Sequence, residues 1–184
     1  MDAVGWERTQ VANANFAPVI TLVLGGARSG KSEVAERLTA SRREPVTYLA
    51  TAAWPDGIDD EFATRIAAHR DRRPSEWKTV EAGADLVAAL RHAGDDTVLI
   101  DALGPWVAAH EDFAADAKAL VAVLTNRRGD TVVVAEEVGL SVHPSSEAGR
   151  RFRDALGEVN RSVADAADEV LFVIAGRVLH LDAM

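Results

Sequence analysis

No cysteine occurs in these 184 residues. That absence excludes disulfide scaffolds, thiolate zinc sites, iron–sulfur ligation and cysteine nucleophiles. Basic charge is also short. Against 29 Asp and Glu stand 20 Lys and Arg, a net charge of −9, which argues against nucleic acid or an anionic membrane as a partner. Lysine is scarcest of all, with Lys31, Lys78 and Lys118 the only three. No uninterrupted apolar run approaches the roughly 20 residues that a bilayer-crossing helix needs, so no stable membrane insertion is expected. The first eighteen residues, MDAVGWERTQVANANFAP, lack the basic start and apolar block of a secretory leader, which predicts a cytoplasmic protein. They also lack a helical or strand period and are expected to form a flexible extension. What the chain does have is 48% apolar and 27% charged residues, enough to build a sizeable core in a single domain over 19–184.

From Val19 onward, short apolar runs alternate with amphipathic stretches. VITLVLGG (19–26), VTYLATA (46–52), TVLID (97–101) and TVVVAEE (131–137) suit buried parallel strands. EVLFVIAGRVLHL (169–181) reads as two strands around an Ala-Gly-Arg turn. Helical periods follow the first run and recur over 83–92, 106–126 and 146–166. WPDG (54–57) is turn chemistry, after which Asp59 or Asp60 would cap a helix carrying Phe62, Ile66 and His69. This alternation predicts an α/β fold with a mostly parallel central sheet, right-handed crossovers and a C-terminal strand pair. Ligands of such sheets bind beyond the carboxyl ends of the strands. That rule selects Gly25–Ser32, Thr51–Ala53, Asp101–Gly104 and Glu136–Pro144.

The first of these, Gly25-Gly26-Ala27-Arg28-Ser29-Gly30-Lys31-Ser32, matches G-x-x-x-x-G-K-[ST] between an apolar strand and a helix. Glycines let backbone N–H groups curl around a phosphate, and the helix start adds donors and partial positive charge. Lys31 would reach the outer phosphates, and the Ser32 hydroxyl would ligate Mg²⁺. Such a loop works with a carboxylate on a neighbouring strand. Asp101, at the end of TVLID, is the Walker-B-like candidate for the metal, with a turn or cap role as the alternative.

A second constellation is Arg65-Ile66-Ala67-Ala68-His69-Arg70-Asp71-Arg72-Arg73. On a helix, Arg65 lies one turn before His69 and Arg73 one turn after it. Neighbouring cations favour a neutral imidazole with a nucleophilic nitrogen, while the guanidinium groups can fork onto a triphosphate. Nucleophilic attack on phosphorus needs that combination. His69 as a packing residue beside Phe62 and Ile66, with the arginines as a solvated run, fits this segment as well. Glu137, at a strand end, is a candidate base or second-layer metal group. His92, His110, His143 and His180 are scattered and read as surface or packing residues, with His143 in a loop that could line an acceptor site.

GGARSGKS, YLATA, RIAAHRDRRPSEW with TVE after it, and AEEVGLSVHP followed by GRRFRDALGEVNRSVADAADEVLFVIAG together resemble the bifunctional adenosylcobinamide kinase/adenosylcobinamide-phosphate guanylyltransferases of cobalamin biosynthesis. The resemblance runs in collinear order from Ile20 to Leu181. It implies a three-layer P-loop NTPase (RecA-like) fold in a homo-oligomer, a trimer by analogy. It also implies phosphorylation of adenosylcobinamide with ATP or GTP, then transfer of GMP from GTP to adenosylcobinamide phosphate through a guanylyl-histidine, with Mg²⁺. By position it implies His69 as the guanylylated nucleophile and Lys31 as a catalytic cation. Nucleotide contacts are implied at Gly25–Ser32, Thr51, Ala52, Ala53, Arg70, Asp71, Arg72, Arg73, Glu81 and Asp101. The family pattern has Glu where this chain has Asp101, and the stretch over 105–125 looks shortened. The phosphate loop alone fits two other classes equally: a P-loop kinase of another small alcohol without guanylyl transfer, and a nucleotide-binding regulatory module. Neither accounts for the segments 65–77 and 136–160.

Overall fold

A computed structural model describes residues 17–52 and 74–183. Seven strands form one sheet in the order β3-β2-β4-β5-β1-β6-β7. They are β1 (Ile20–Gly25), β2 (Val46–Ala50), β3 (Lys78–Glu81), β4 (Thr97–Asp101), β5 (Thr131–Glu136), β6 (Glu169–Ile174) and β7 (Arg177–Leu181). All pairings are parallel except β6 with β7. The helices are α1 (Lys31–Ala40), α2 (Leu86–His92), α3 (Leu103–Ala108), α4 (Ala117–Asn126) and α5 (Glu147–Ala164). The expected α/β architecture with a C-terminal strand pair is therefore the one formed.

The central strands β1, β4 and β5 read as continuous apolar runs because both sheet faces are covered. Along β1, Ile20, Leu22 and Leu24 join a core with residues of α2, α3, α4 and α5. Val23 turns the other way, to Val34 and Ala35 of α1 and to Leu99, Val132 and Val134. Side chains such as Leu22, Leu49, Leu99 and Ile100 are fully buried, each stabilising the fold by about 1.5–3 kcal/mol relative to exposure. The three layers follow from that alternation. Ser146 caps α5, its Oγ accepting from Gly149 N at 3.1 Å, and Leu156, Val159, Asn160 and Val163 bury one helical stripe.

Two elements differ from the sequence expectation. The Ala-rich stretch 106–126 is not one helix: α3 ends at Ala108, a single 3₁₀ turn spans Glu111–Phe113, and α4 begins at Ala117. The break is made by backbone with positive φ at Asp112 and Phe113 and by Asp116, whose Oδ1 accepts from Ala119 N at 2.9 Å to cap α4. The strand β3 was not anticipated from periodicity, because KTVE is a four-residue, largely exposed edge strand. It is held by the buried Trp77 before it and by Ala82 N donating to Ala50 O at 2.7 Å after it. The helix expected after Asp59 or Asp60 lies outside the described residues, as do residues 1–16 of the expected extension. Among the described residues no helix is long and apolar enough to cross a membrane.

At the amino edge, opposite the site, Arg127 is buried. It donates to Thr131 Oγ1 at 3.1 Å and Leu90 O at 2.9 Å, and also to Asp96 O. Burial lowers its guanidinium pKa, and the negative charge of Asp96 and Asp95 opposes that shift. Its role is to tie α2, β4 and β5 together at the end of the sheet away from the chemistry.

Candidate functional site

Register brings the carboxyl ends of five strands to one edge. Gly25 of β1 pairs with Glu136 of β5, and Ala50 of β2 pairs with both Glu81 of β3 and Asp101 of β4. The segment Gly25–Ser32 arches over this edge between β1 and α1, as the sequence predicts. A Cβ on Gly25 would stand 2.5 Å from Ser29 Oγ and 2.8 Å from Val173 O, so the loop can start there only with glycine. Gly30 sits at φ +91°, a left-handed conformation that lets the chain enter α1 directly.

Within the loop, Ser29 N donates to Gly26 O at 3.3 Å and Lys31 N to Ser29 Oγ at 3.3 Å. The Lys31 ammonium donates to Gly26 O at 3.4 Å, so the rare lysine lies over the loop. The turn between β6 and β7 supports the same loop: Gly176 N donates to Ser29 O at 2.9 Å. Ala175 and Gly176 both have positive φ, the signature of a tight hairpin turn that matches strand twist. The Ala-Gly-Arg turn expected from sequence thus touches the phosphate loop, a contact that sequence reading did not foresee.

Asp101 is brought to the start of α1. Ser32 Oγ donates to Asp101 Oδ1 at 3.4 Å, and the Tyr48 hydroxyl donates to Asp101 Oδ2. Thr51 is fully buried and ties β2 to β4. Its N donates to Asp101 O at 3.3 Å, and its Oγ1 accepts from Ala102 N at 3.0 Å and donates to Ala102 O. Ala52 continues along this edge, and Glu81 ends the exposed strand next to β2, at the margin of the sheet. Gly25 through Ser32, Thr51, Ala52, Asp101 and Glu81 therefore share one edge. Ala53, Arg65, His69, Arg70, Asp71, Arg72 and Arg73 lie outside the described residues.

Within the segment Glu136–Pro144 the sequence reading singles out Glu137; the carboxylate that meets Gly104 is that of its neighbour Glu136. Alternation places Val132 and Val134 on the face of α1, and Glu136 is next in that series. Its Oε2 accepts from Gly104 N at 2.9 Å, and Asn160 Nδ2 donates to its carbonyl at 3.0 Å. Glu137 instead closes its own turn, Oε1 accepting from Gly139 N at 2.8 Å. His143 is exposed and its Nδ1 meets Arg153 Nη1 at 3.2 Å.

Burial pushes the Glu136 carboxyl above its ordinary pKa. Lys31 and the backbone donor on Gly104 oppose that rise, and Asp101 adds to it. A carboxyl whose folded pKa is raised binds extra protons in the folded state. Its stabilising contribution is complete below the ordinary carboxylate range and is lost as pH rises through the folded value. Glu136→Gln keeps an acceptor for Gly104 N while removing the buried charge. The variant is expected to unfold at a urea concentration no lower than wild type at about pH 8, with the comparison moving toward wild type at about pH 4. A variant that loses more stability at the higher pH than at the lower would contradict the sign of the shift.

The edge also suits a magnesium nucleotide. Among the described residues no group of three or more His, Cys, Asp or Glu could hold a metal by itself. Ser32 and Asp101 present hard oxygens side by side, the sparse set that suits Mg²⁺ completed by water and phosphates.

A family model described as cobinamide kinase / cobinamide phosphate guanyltransferase matches residues 21–181. The bifunctional adenosylcobalamin biosynthesis protein CobP of Pseudomonas aeruginosa is 38% identical over 168 residues, covering 87% of this chain and 95% of that protein. The CobU proteins of Salmonella typhimurium and Escherichia coli are each 35% identical, over 86% of this chain and 97% of theirs. Among solved structures, the flagellar accessory protein FlaH of Methanocaldococcus jannaschii aligns with a TM-score of 0.49 at 14% identity, over 88% of this chain and 75% of that one. The P4 protein of bacteriophage phi6, solved with ADP, gives 0.44 at 13% identity, over 88% and 54%. Neither of the two carries an argument about function.

Proposed function

Because the chain belongs to the cobinamide kinase / cobinamide phosphate guanyltransferase family, we propose that the edge built by Gly25–Ser32 and Asp101 binds the nucleotide for both of its transfers. The protein is a bifunctional enzyme of adenosylcobalamin biosynthesis, and cobinamide and nucleotides are its substrates. The observation that carries the assignment of the site is the junction of loop, lysine and carboxylate. Lys31 lies over the loop, while Ser32 Oγ and Asp101 Oδ1 meet at the helix start.

In the kinase step, the hydroxyl oxygen of adenosylcobinamide bonds to the γ-phosphorus of ATP or GTP, and the bond to the β-phosphate oxygen breaks. In the second step a His69 nitrogen bonds to the α-phosphorus of GTP and pyrophosphate leaves. The phosphate of adenosylcobinamide phosphate then displaces the histidine, giving adenosylcobinamide-GDP. The loop N–H groups and Lys31 stabilise charge on the departing phosphates. Ser32 and Asp101 would hold Mg²⁺, which when bound neutralises charge on phosphate oxygens. Ala53, Arg70, Asp71, Arg72, Arg73, Thr51, Ala52 and Glu81 complete the nucleotide contacts in this reading.

The enzyme is further read as cytoplasmic and as a homo-oligomer, a trimer by analogy. The exposed apolar side chains of Ile174, Val178, Leu179 and Leu181 on the outer hairpin support association. The covalent step is tested with GTP labelled at the α-phosphate. Acid-labile, alkali-stable label is expected on the wild-type protein and is expected to be absent from His69→Ala. Label that persists in that variant overturns the assignment of the nucleophile. ATP-dependent phosphorylation without any covalent label in the wild type would favour a simple kinase.

A further inference from the structure

The kinase step releases a proton from the attacking hydroxyl, and among the described residues three carboxylates lie at the ends of β4 and β5: Asp101, Glu136 and Glu137. Asp101 is engaged by the Tyr48 hydroxyl and by Ser32 Oγ. Glu137 is turned into its own loop by Gly139 N. Glu136 differs from both.

We propose that Glu136 is the group that takes the proton from the acceptor alcohol during phosphoryl transfer. This assignment rests on the kinase reading given above. Glu136 is the register partner of Gly25, the first residue of the phosphate loop, and the next residue reinforces that position by donating from Glu137 N to Gly25 O at 3.1 Å. Asn160 fixes its backbone from α5. Gly104 N fixes one carboxylate oxygen, Oε2, and the backbone N–H of Glu136 itself also bonds the carboxylate. The carboxylate is thereby held in one orientation beside the first residue of the loop.

Position 104 is built around this carboxylate. A Cβ there would come within 2.4 Å of Oε2 and 3.0 Å of Cδ, so any residue but glycine would push the carboxylate away. Burial raises the proton affinity of Glu136, while the Lys31 charge keeps its ionised form accessible. A carboxylate in that setting is a stronger base than an exposed one. The step balances: the hydroxyl oxygen–phosphorus bond forms, the proton passes to the Glu136 carboxylate, and the γ-phosphorus–oxygen bond to the nucleoside diphosphate breaks. Solvent takes the proton after release of products.

The test compares wild type, Glu136→Gln and Gly104→Ala in phosphorylation of adenosylcobinamide by ATP, with nucleotide affinity measured separately. Glutamine still accepts from Gly104 N but cannot take the proton. Its kcat is expected to fall about 10²–10⁴-fold, with KM for the alcohol and nucleotide affinity within about threefold of wild type. Gly104→Ala leaves the carboxylate chemically intact but displaces it, and is expected to lower kcat at least about tenfold with nucleotide affinity preserved. A Glu136→Gln enzyme with kcat within about threefold of wild type overturns the assignment. So does a loss confined to KM or to nucleotide affinity, which marks a binding or structural role. Failure of the wild type to phosphorylate the alcohol is a different result: it removes the kinase reading and this assignment with it.

Discussion

Lys31→Ala is expected to lower kcat for alcohol phosphorylation about 10²–10³-fold, the usual cost of removing one donor that meets charge developing in a transition state. Guanylylation from GTP should fall with it, because in the proposed mechanism both transfers send negative charge onto phosphates leaving through the same loop. The fold should survive. Lys31 is only partly buried, and its ammonium makes one long bond to Gly26 O, while the loop is held by Gly25, Ser29 and the Gly176 contact. Thermal unfolding therefore checks that the protein is intact, and rates of both transfers check the charge. Lys31→Arg should recover little, since a planar guanidinium is not a substitute for a compact ammonium. A kinase rate within about threefold of wild type in Lys31→Ala would remove the lysine from the mechanism.

Asp101→Asn has a different signature. Asparagine matches the carboxylate in size but has one acceptor oxygen where the carboxylate offers Oδ2 to the Tyr48 hydroxyl and Oδ1 to Ser32 Oγ, so it keeps one of these two bonds. It also loses the negative charge beside Ser32. Activity at saturating nucleotide and fixed magnesium is expected to fall about 10²-fold or more. Part of the loss should return as magnesium is raised, so that half-maximal rate requires a higher concentration. Titration with MgCl₂ distinguishes this from simple damage. A variant with reduced rate but an unchanged magnesium requirement would assign Asp101 to holding Tyr48 and Ser32 in place rather than to the metal.

Most of this edge is legible in the sequence because its signals are local. The motif at Gly25–Ser32 carries its own context, a buried strand before and a helix after, and the register then brings Asp101 and Thr51 to it. Local signals fail where an element owes its existence to distant partners. The strand Lys78–Glu81 has one apolar residue facing the core and exists because β2 offers it an edge to pair with. The interruption at 109–116 is hidden under alanine, whose helix preference says nothing of the positive-φ turn that tertiary packing imposes. Glu136 and Glu137 are the finest case. The two glutamates are adjacent and chemically identical, and only the parity of Val132 and Val134 on the α1 face distinguishes them. Counting that parity along the strand puts Glu136, and not Glu137, in series with them. Gly104, in contrast, has no readable signal, because its importance lies in a side chain it does not have and a carboxylate on another strand that occupies the space.

The hydrogen bond from Gly176 N to Ser29 O has a consequence for the order in which the enzyme is made. A motif near the start of the chain is finished by a turn near its end, and β1 itself needs β6 and β5 on its flanks. On the ribosome, the motif emerges long before the segments that shape it. Closing contacts so distant in sequence carries a loop entropy that short-range structure does not share. A nascent chain can therefore display the complete nucleotide-binding motif with no competent pocket. Loss of the last two strands, by premature termination or by a protease, removes the support of a site whose named residues are all still present.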